Sequence, residues 1–176
     1  MKKYLEYDIH IYILLFFIFS FIGWVYEGIY CFLTDGMFVN RGFFFGPYLP
    51  IYGTGGVLIL ILLRKYLYRP ILTFFLIMAL CSVLEYATSY ILEQIYHERW
   101  WDYSGFFLNI NGRICLKGAV AFGLGGCFFI YLMVPIFIKT FEKIPKSLRI
   151  FLCILLIAIF AIDFFLSYSS PSGIVV

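Results

Sequence analysis

Apolar and polar positions along this chain are sorted into long blocks, with little alternation inside a block. Five blocks are almost wholly apolar, at about 11–33, 47–66, 71–96, 114–138 and 149–168. Each is close to the roughly 20 residues that a helix needs to cross a bilayer. The pattern predicts an all-α fold, a polytopic transmembrane helical bundle of about five spans forming a single integral membrane domain over residues 1–176. The links between blocks are of two kinds. Residues 64–70 and 139–149 are short, basic and contain a proline, which suits tight turns between antiparallel neighbours. Residues 34–46 and 96–112 are longer and rich in glycine, aromatic residues, Asn and Arg. A functional surface is expected on these two longer links.

Composition sharpens this picture. The chain is 64% hydrophobic and only 13% charged, more apolar surface than a soluble domain of this size could bury. A formal net charge of +3, scattered along the chain, is too small for a nucleic-acid binder. The distribution of charge says more than its sum. Lys2, Lys3, Arg64, Lys65, Arg69, Lys139, Lys143, Lys146 and Arg149 fall on one side of the expected spans, and Arg41, Arg99, Arg113 and Lys117 on the other. Because cytoplasmic loops retain Lys and Arg, nine against four places the N-terminus inside and, after five spans, the C-terminus outside. The acids divide the opposite way: Glu27, Asp35, Glu85, Glu93, Glu98, Asp102 and Asp163 fall in outer links or outer helix halves. The first apolar block is longer than a signal-peptide core and lacks a small-residue cleavage site, so it is expected to stay in the mature protein. The residues after Ser167 are expected to form a short disordered tail.

Candidate chemistry therefore lies toward the outer face. Glu27, in Gly23-Trp24-Val25-Tyr26-Glu27-Gly28, is embedded in the first span, where a carboxylate is costly unless paired, neutralised or hydrated. Glu85, Ser89 and Glu93 recur every four residues and so form one polar stripe on the outer half of the third span, flanked by Tyr86 and Tyr90. Arg41 and Arg113, each beside an Asn and a Gly in an outer link, could hold Glu27 or Glu85 ionised or receive an anionic substrate. Asp102 sits in Trp100-Trp101-Asp102-Tyr103-Ser104 as a helix cap or ligand contact. The plainer reading of each is structural: carboxylate–Arg pairs that fix packing, and tryptophans that anchor at the interface. Asp163 needs a partner, for which Lys117 is the candidate by depth. Gly53, Gly55 and Gly56 read as close-packing positions, and Gly123-Leu124-Gly125-Gly126 lacks the Lys-Ser/Thr of a nucleotide loop. Five cysteines occur singly with no C-x-x-C pair, and His10 and His97 lie at opposite faces, so no metal or other cofactor is expected. A faint parallel repeat relates residues 11–66 to 71–138.

Several motifs occur together in order: Gly23-Trp24 with Glu27, Asn40-Arg41-Gly42-Phe43, Gly46-Pro47, Pro50-Ile51-Tyr52-Gly53, Glu85-Tyr86 with Glu93, Trp101-Asp102-Tyr103-Ser104, Asn109 and Gly112-Arg113-Ile114-Cys115-Leu116. Across about residues 10–135 this set resembles the bacterial CmpB-like family, the ABC-transporter type IV proteins. The resemblance implies a permease-like membrane component and carries over no catalytic or binding residue. With no Walker A motif in the chain, any use of ATP would require a separate ATPase subunit docking on the inner turns.

The leading expectation is a multi-pass plasma-membrane protein acting as a permease-like transport component. Its polar cleft, open to the outer face, would be lined by Glu27, Arg41, Glu85, Glu93, Asp102 and Arg113. An intramembrane enzyme on lipid or envelope intermediates is the first alternative. It lacks a nucleophile or an outer histidine cluster beyond His97, which points away from an enzyme. A non-catalytic scaffold or regulator is the second. The expected partners are the lipid bilayer, an ATPase subunit and a second copy of the chain in a homo-oligomer, with no nucleic acid.

Overall fold

The computed structural model describes residues 7–37, 40 and 42–169, which leaves Arg41 outside the described residues; of the expected tail after Ser167, Tyr168 and Ser169 instead continue the last helix, and the rest lies outside the described residues. The regular elements of the described residues are all helical: α1 (Ile9–Asp35), α2 (Pro50–Leu62), α3 (Pro70–Tyr96), α4 (Leu116–Phe128), a five-residue π turn (Phe129–Met133), α5 (Val134–Glu142) and α6 (Lys146–Ser169). Four helical stretches, Ile9–Thr34, Pro70–Tyr96, Leu116–Glu142 and Lys146–Tyr168, are long and apolar enough to cross a membrane. The chain is therefore a helical membrane bundle, as hydrocarbon demands: every spanning backbone group must find its partner within its own segment.

The helix ends follow local chemistry. Gly36, at φ +73°, closes α1 in the left-handed conformation that glycine adopts without strain. Pro50 and Pro70 stand at the first positions of α2 and α3, where a missing N–H costs nothing. The Cys115 side chain caps α4 by accepting from the Gly118 N–H. Pro135 provides no N–H, and a proline ring clashes with the carbonyl four residues before it in a regular helix, which accounts for the π turn just before it.

The second apolar run gives a shorter helix than its hydropathy suggests. α2 has 13 residues, about 20 Å of helix against a hydrocarbon core of about 30 Å. Both of its ends are already committed. The Leu49 N–H donates to the Ser20 carbonyl at 2.9 Å, and beyond Leu62 the chain turns through Tyr66 N–H to Leu63 O and Arg69 N–H to Tyr66 O.

Two units form. In one, residues 55–135, α3 packs on α4 through glycines. A side chain at Gly123 would meet Phe74 and Met78 at 2.6–2.8 Å, and one at Gly126 would meet Ile77 at 2.7 Å. Where lipid is as apolar as leucine, such close backbone approach is the main source of helix association. Contact pairs run in reverse order along the two helices, from Phe74 with Gly123 to Glu85 with Gly118, so α3 and α4 are antiparallel. The other unit comprises the described residues to Thr54 and those from Ile136 onward. There α1 packs on α6: the Cys153 thiol reaches the His10 carbonyl at 3.3 Å, and Phe16 and Phe17 meet the Phe160 ring edge-on. These contacts keep the same order along both helices, so α1 and α6 run parallel.

Candidate functional site

The stripe foreseen on α3 is present, with Glu85 and Ser89 buried and Glu93 nearer the helix end. What faces it is the link to α4. His97 leaves α3 at φ 57°, and residues 97–115 fold back to the stripe through an isolated bridge between Ile110 and Ile114 and a Tyr103 N–H to Gly112 carbonyl bond of 2.7 Å. Gly112 is required by both conformation and space. Its φ is +67°, and a side chain there would meet Ser104 Oγ at 2.6 Å and Arg99 Nη1 at 3.0 Å, with Asp102 also against it.

This fold-back delivers Arg113, buried, to α3. Its guanidinium donates to Ser89 Oγ at 3.0 Å and pairs with the Glu93 carboxylate. It lies over the rings of Tyr86 and Tyr90, at 5.6 and 5.4 Å. Arg99 holds the other Glu93 oxygen at 3.2 Å and the Asn111 carbonyl at 3.2 Å. Asp102 accepts from both the hydroxyl and the N–H of Ser104, at 2.6 and 2.9 Å. The hydroxyl bond foremost, then the amide, hold the Asp102 carboxyl below the usual aspartate range. Asn109 ties the tip to itself, donating to the Ser104 and Phe106 carbonyls and accepting from Gly112 N–H. The Trp101 indole donates to the Arg113 carbonyl at 2.9 Å, a loop strut beyond any anchoring role. Together Tyr86, Tyr90, Arg99, Ser104, Asn109, Asn111, Gly112 and Arg113 line an open cavity of about 660 Å³.

The pairing differs from the sequence expectation in one respect. Arg113 engages Glu93 and Ser89, and Glu85, deeper on α3, takes a hydrogen bond from the Tyr103 hydroxyl at 3.1 Å. Its second oxygen is turned toward the first turn of α4, 3.9 Å from where a Gly118 side chain would begin. Helix N-termini carry partial positive charge, so this carboxylate faces a favourable field. The hydroxyl of Tyr86, which flanks the stripe, accepts from the Asn111 side-chain amide at 2.9 Å.

Glu27 belongs to the other unit, where the Tyr52 hydroxyl donates to it at 2.5 Å. Gly23 leaves room for the Tyr52 ring, and Gly53 lets α2 approach Ser20 and Phe16 on α1. Trp24 donates to the Asn40 side-chain oxygen at 2.9 Å, and Asn40 donates in turn to the Phe44 carbonyl at 3.1 Å. The buried Asp163 accepts from the Phe45 and Gly46 amides at 3.1 and 2.8 Å, from the Tyr48 hydroxyl and from Ser167 at 3.0 Å. Its partners are thus neutral donors, and Lys117, foreseen as its counter-ion, sits over the Phe106 ring at 5.5 Å. The tyrosines 48, 52 and 103 were not foreseen as carboxylate partners. The usable signal was three embedded acids, each needing a donor long enough to reach it from a neighbouring segment.

Of the six candidate residues, then, Glu85, Glu93, Asp102 and Arg113 lie together in the α3–α4 unit, Glu27 lies in the other, and Arg41 is outside the described residues. Long apolar helices, close-packed glycines and acids held by partners inside the protein define a multi-pass integral membrane protein. The chain belongs to the family described as "Putative ABC-transporter type IV", whose model matches residues 14–168. No curated protein and no solved structure is significantly similar to it.

Proposed function

We propose that this protein is a permease-like transport component of the plasma membrane that receives a polar solute in the cavity between α3 and its link to α4. The observation that carries the reading is the cavity lining, in which two guanidinium groups, two tyrosines, Ser104, Asn109 and Asn111 converge on an open space of about 660 Å³. Glu85, buried beneath it, takes up a proton or cation in coupling, and Glu93, Asp102 and Arg113 shape the wall. Glu27 and Arg41 stay in the candidate set as the corresponding pair of the first link. The Lys and Arg of residues 64–69 and 139–149 support a cytoplasmic place for these turns and, at the other end of α3 from residues 64–69, an outward-facing cavity. Those turns offer an ATPase partner its docking surface.

The test uses single cysteines at positions 111 and 143, labelled in intact cells with a membrane-impermeant maleimide, followed by uptake of radiolabelled amino acids, sugars and phosphate. Labelling at 111 alone is expected, as is uptake of one solute class that falls at least about tenfold, about 1.4 kcal/mol, in Arg99→Ala. Labelling at 143 alone, or uptake of every solute unchanged when the gene is deleted, would overturn the reading.

A scaffold reading draws on a different observation, that Glu93 binds both Arg113 and Arg99 and so closes the wall into a self-contained net. It predicts the same labelling pattern with no solute affected by Arg99→Ala.

A further inference from the structure

At the far end of the α3–α4 link the polarity reverses. Phe106, Phe107, Leu108 and Ile110 turn outward, exposed by 40, 75, 63 and 55% of their surfaces. We infer that this tip is a wedge seated in the outer leaflet, with the lipid acyl boundary as its partner and Lys117 at the level of the lipid phosphates.

Three features fit lipid and not water. The backbone of the tip is tied back on itself: Phe106 N–H to Tyr103 O, Ile110 N–H to Ile114 O, Arg113 N–H to Ile110 O, and the Asn109 side-chain amide to two carbonyls. Irregular chain enters an apolar layer at a cost that falls with each polar group paired inside the protein, and these bonds pair much of the tip's backbone. The tip is also continuous with a membrane-spanning surface. The Phe107 carbonyl accepts from Leu116 N–H at 3.4 Å, and Leu116 is an exposed apolar residue in the first turn of α4. Finally, a cation accompanies the aromatic base of the tip, the Lys117 ammonium standing over the Phe106 ring 5.5 Å from its centre. A lysine stem lying along apolar side chains with its ammonium at their edge is the arrangement that pairs with lipid phosphate. A second copy of the chain would need complementary apolar surface, whereas the leaflet is present wherever α4 is.

The wedge is independent of whether the neighbouring cavity binds a solute, and its test does not use transport. The full-length chain, with Cys81→Ala and Cys127→Ala to silence its two partly exposed thiols, receives Phe107→Cys, Ile110→Cys or, as an aqueous control on the same link, Glu98→Cys. Each is labelled with the polarity-sensitive dye NBD and placed as one copy per phosphatidylcholine–phosphatidylglycerol nanodisc, with the unsubstituted parent as blank. Nitroxide on the upper acyl chain is expected to quench NBD at 107 and 110 several-fold more strongly than at 98, and aqueous iodide to quench only 98. Iodide quenching at 107 and 110 equal to that at 98 would place the tip in water. Protection from both quenchers would mean that protein covers it, and either result overturns the wedge. Should Phe107→Cys fail to fold, Ile110→Cys, whose side chain is more than half exposed, decides alone.

Discussion

Between α1 and α2 the chain is held by Asp163, a buried carboxylate whose partners are two backbone amides, Tyr48 and Ser167. Between α3 and α4 the chain is held by Arg113 and Arg99, which share Glu93. Each unit also gives an embedded glutamate a tyrosine hydroxyl, Glu27 from Tyr52 on α2 and Glu85 from Tyr103 on the link, and both links use an Asn side-chain oxygen to accept a nearby glycine amide, Asn40 from Gly42 and Asn109 from Gly112. The frame is common to the two and the fastening differs. Neutral donors around a buried carboxylate are insensitive to salt and fix one geometry. Ion pairs that reach the surface are screened by salt and can exchange partners with an incoming charged group. Over its described residues 42–49 the first link is therefore held as a strut, and the second is the one that a ligand could rearrange.

The strut should fail hardest. Asp163→Ala leaves two amides, Tyr48 and Ser167 without their acceptor, a loss of about 4 kcal/mol given roughly 1–3 kcal/mol per buried unsatisfied group and incomplete additivity. Asp163→Asn, which keeps an acceptor oxygen, should lose less. Unfolding in mixed detergent micelles measures both, and near-equality of Asp163→Ala with the parent would deny that the carboxylate holds the link. Arg113→Met should act more locally. Hydrogen exchange at residues 109–112 should accelerate in the variant and, in the parent, should accelerate from low to molar salt, while the Phe45 and Gly46 amides stay indifferent. If both links responded to salt alike, the contrast between them would be wrong. The smallest effect belongs to Asp102. Its folded carboxyl titrates below the usual value, so its contribution is complete above about pH 4, where the unfolded group is already ionised, and is lost as pH falls through the lower folded value. Protection of the Ser104 amide should accordingly persist through that range and fade only in stronger acid, a profile that Asp102→Asn should abolish.

The chain order of apolar blocks, glycines, prolines and charges determined much of this by itself. A bilayer removes water from the backbone, so apolar length specifies helices, and the cost of an embedded acid marks Glu27, Glu85, Glu93 and Asp163 as residues that must find donors. Four-residue spacing put Glu85, Ser89 and Glu93 on one face because helix geometry is local. Tertiary structure decided which donor each acid received. Arg113 meets Glu93 because Gly112 reverses the chain at a positive φ, a conformation that periodicity does not encode. Tyr48, at the start of α2, reaches Asp163 across 115 positions of sequence. The same dependence shortened α2: its hydropathy extends past both ends, but Leu49 is bonded to α1 and residues 63–69 to a turn, and a backbone group already paired cannot also continue a helix.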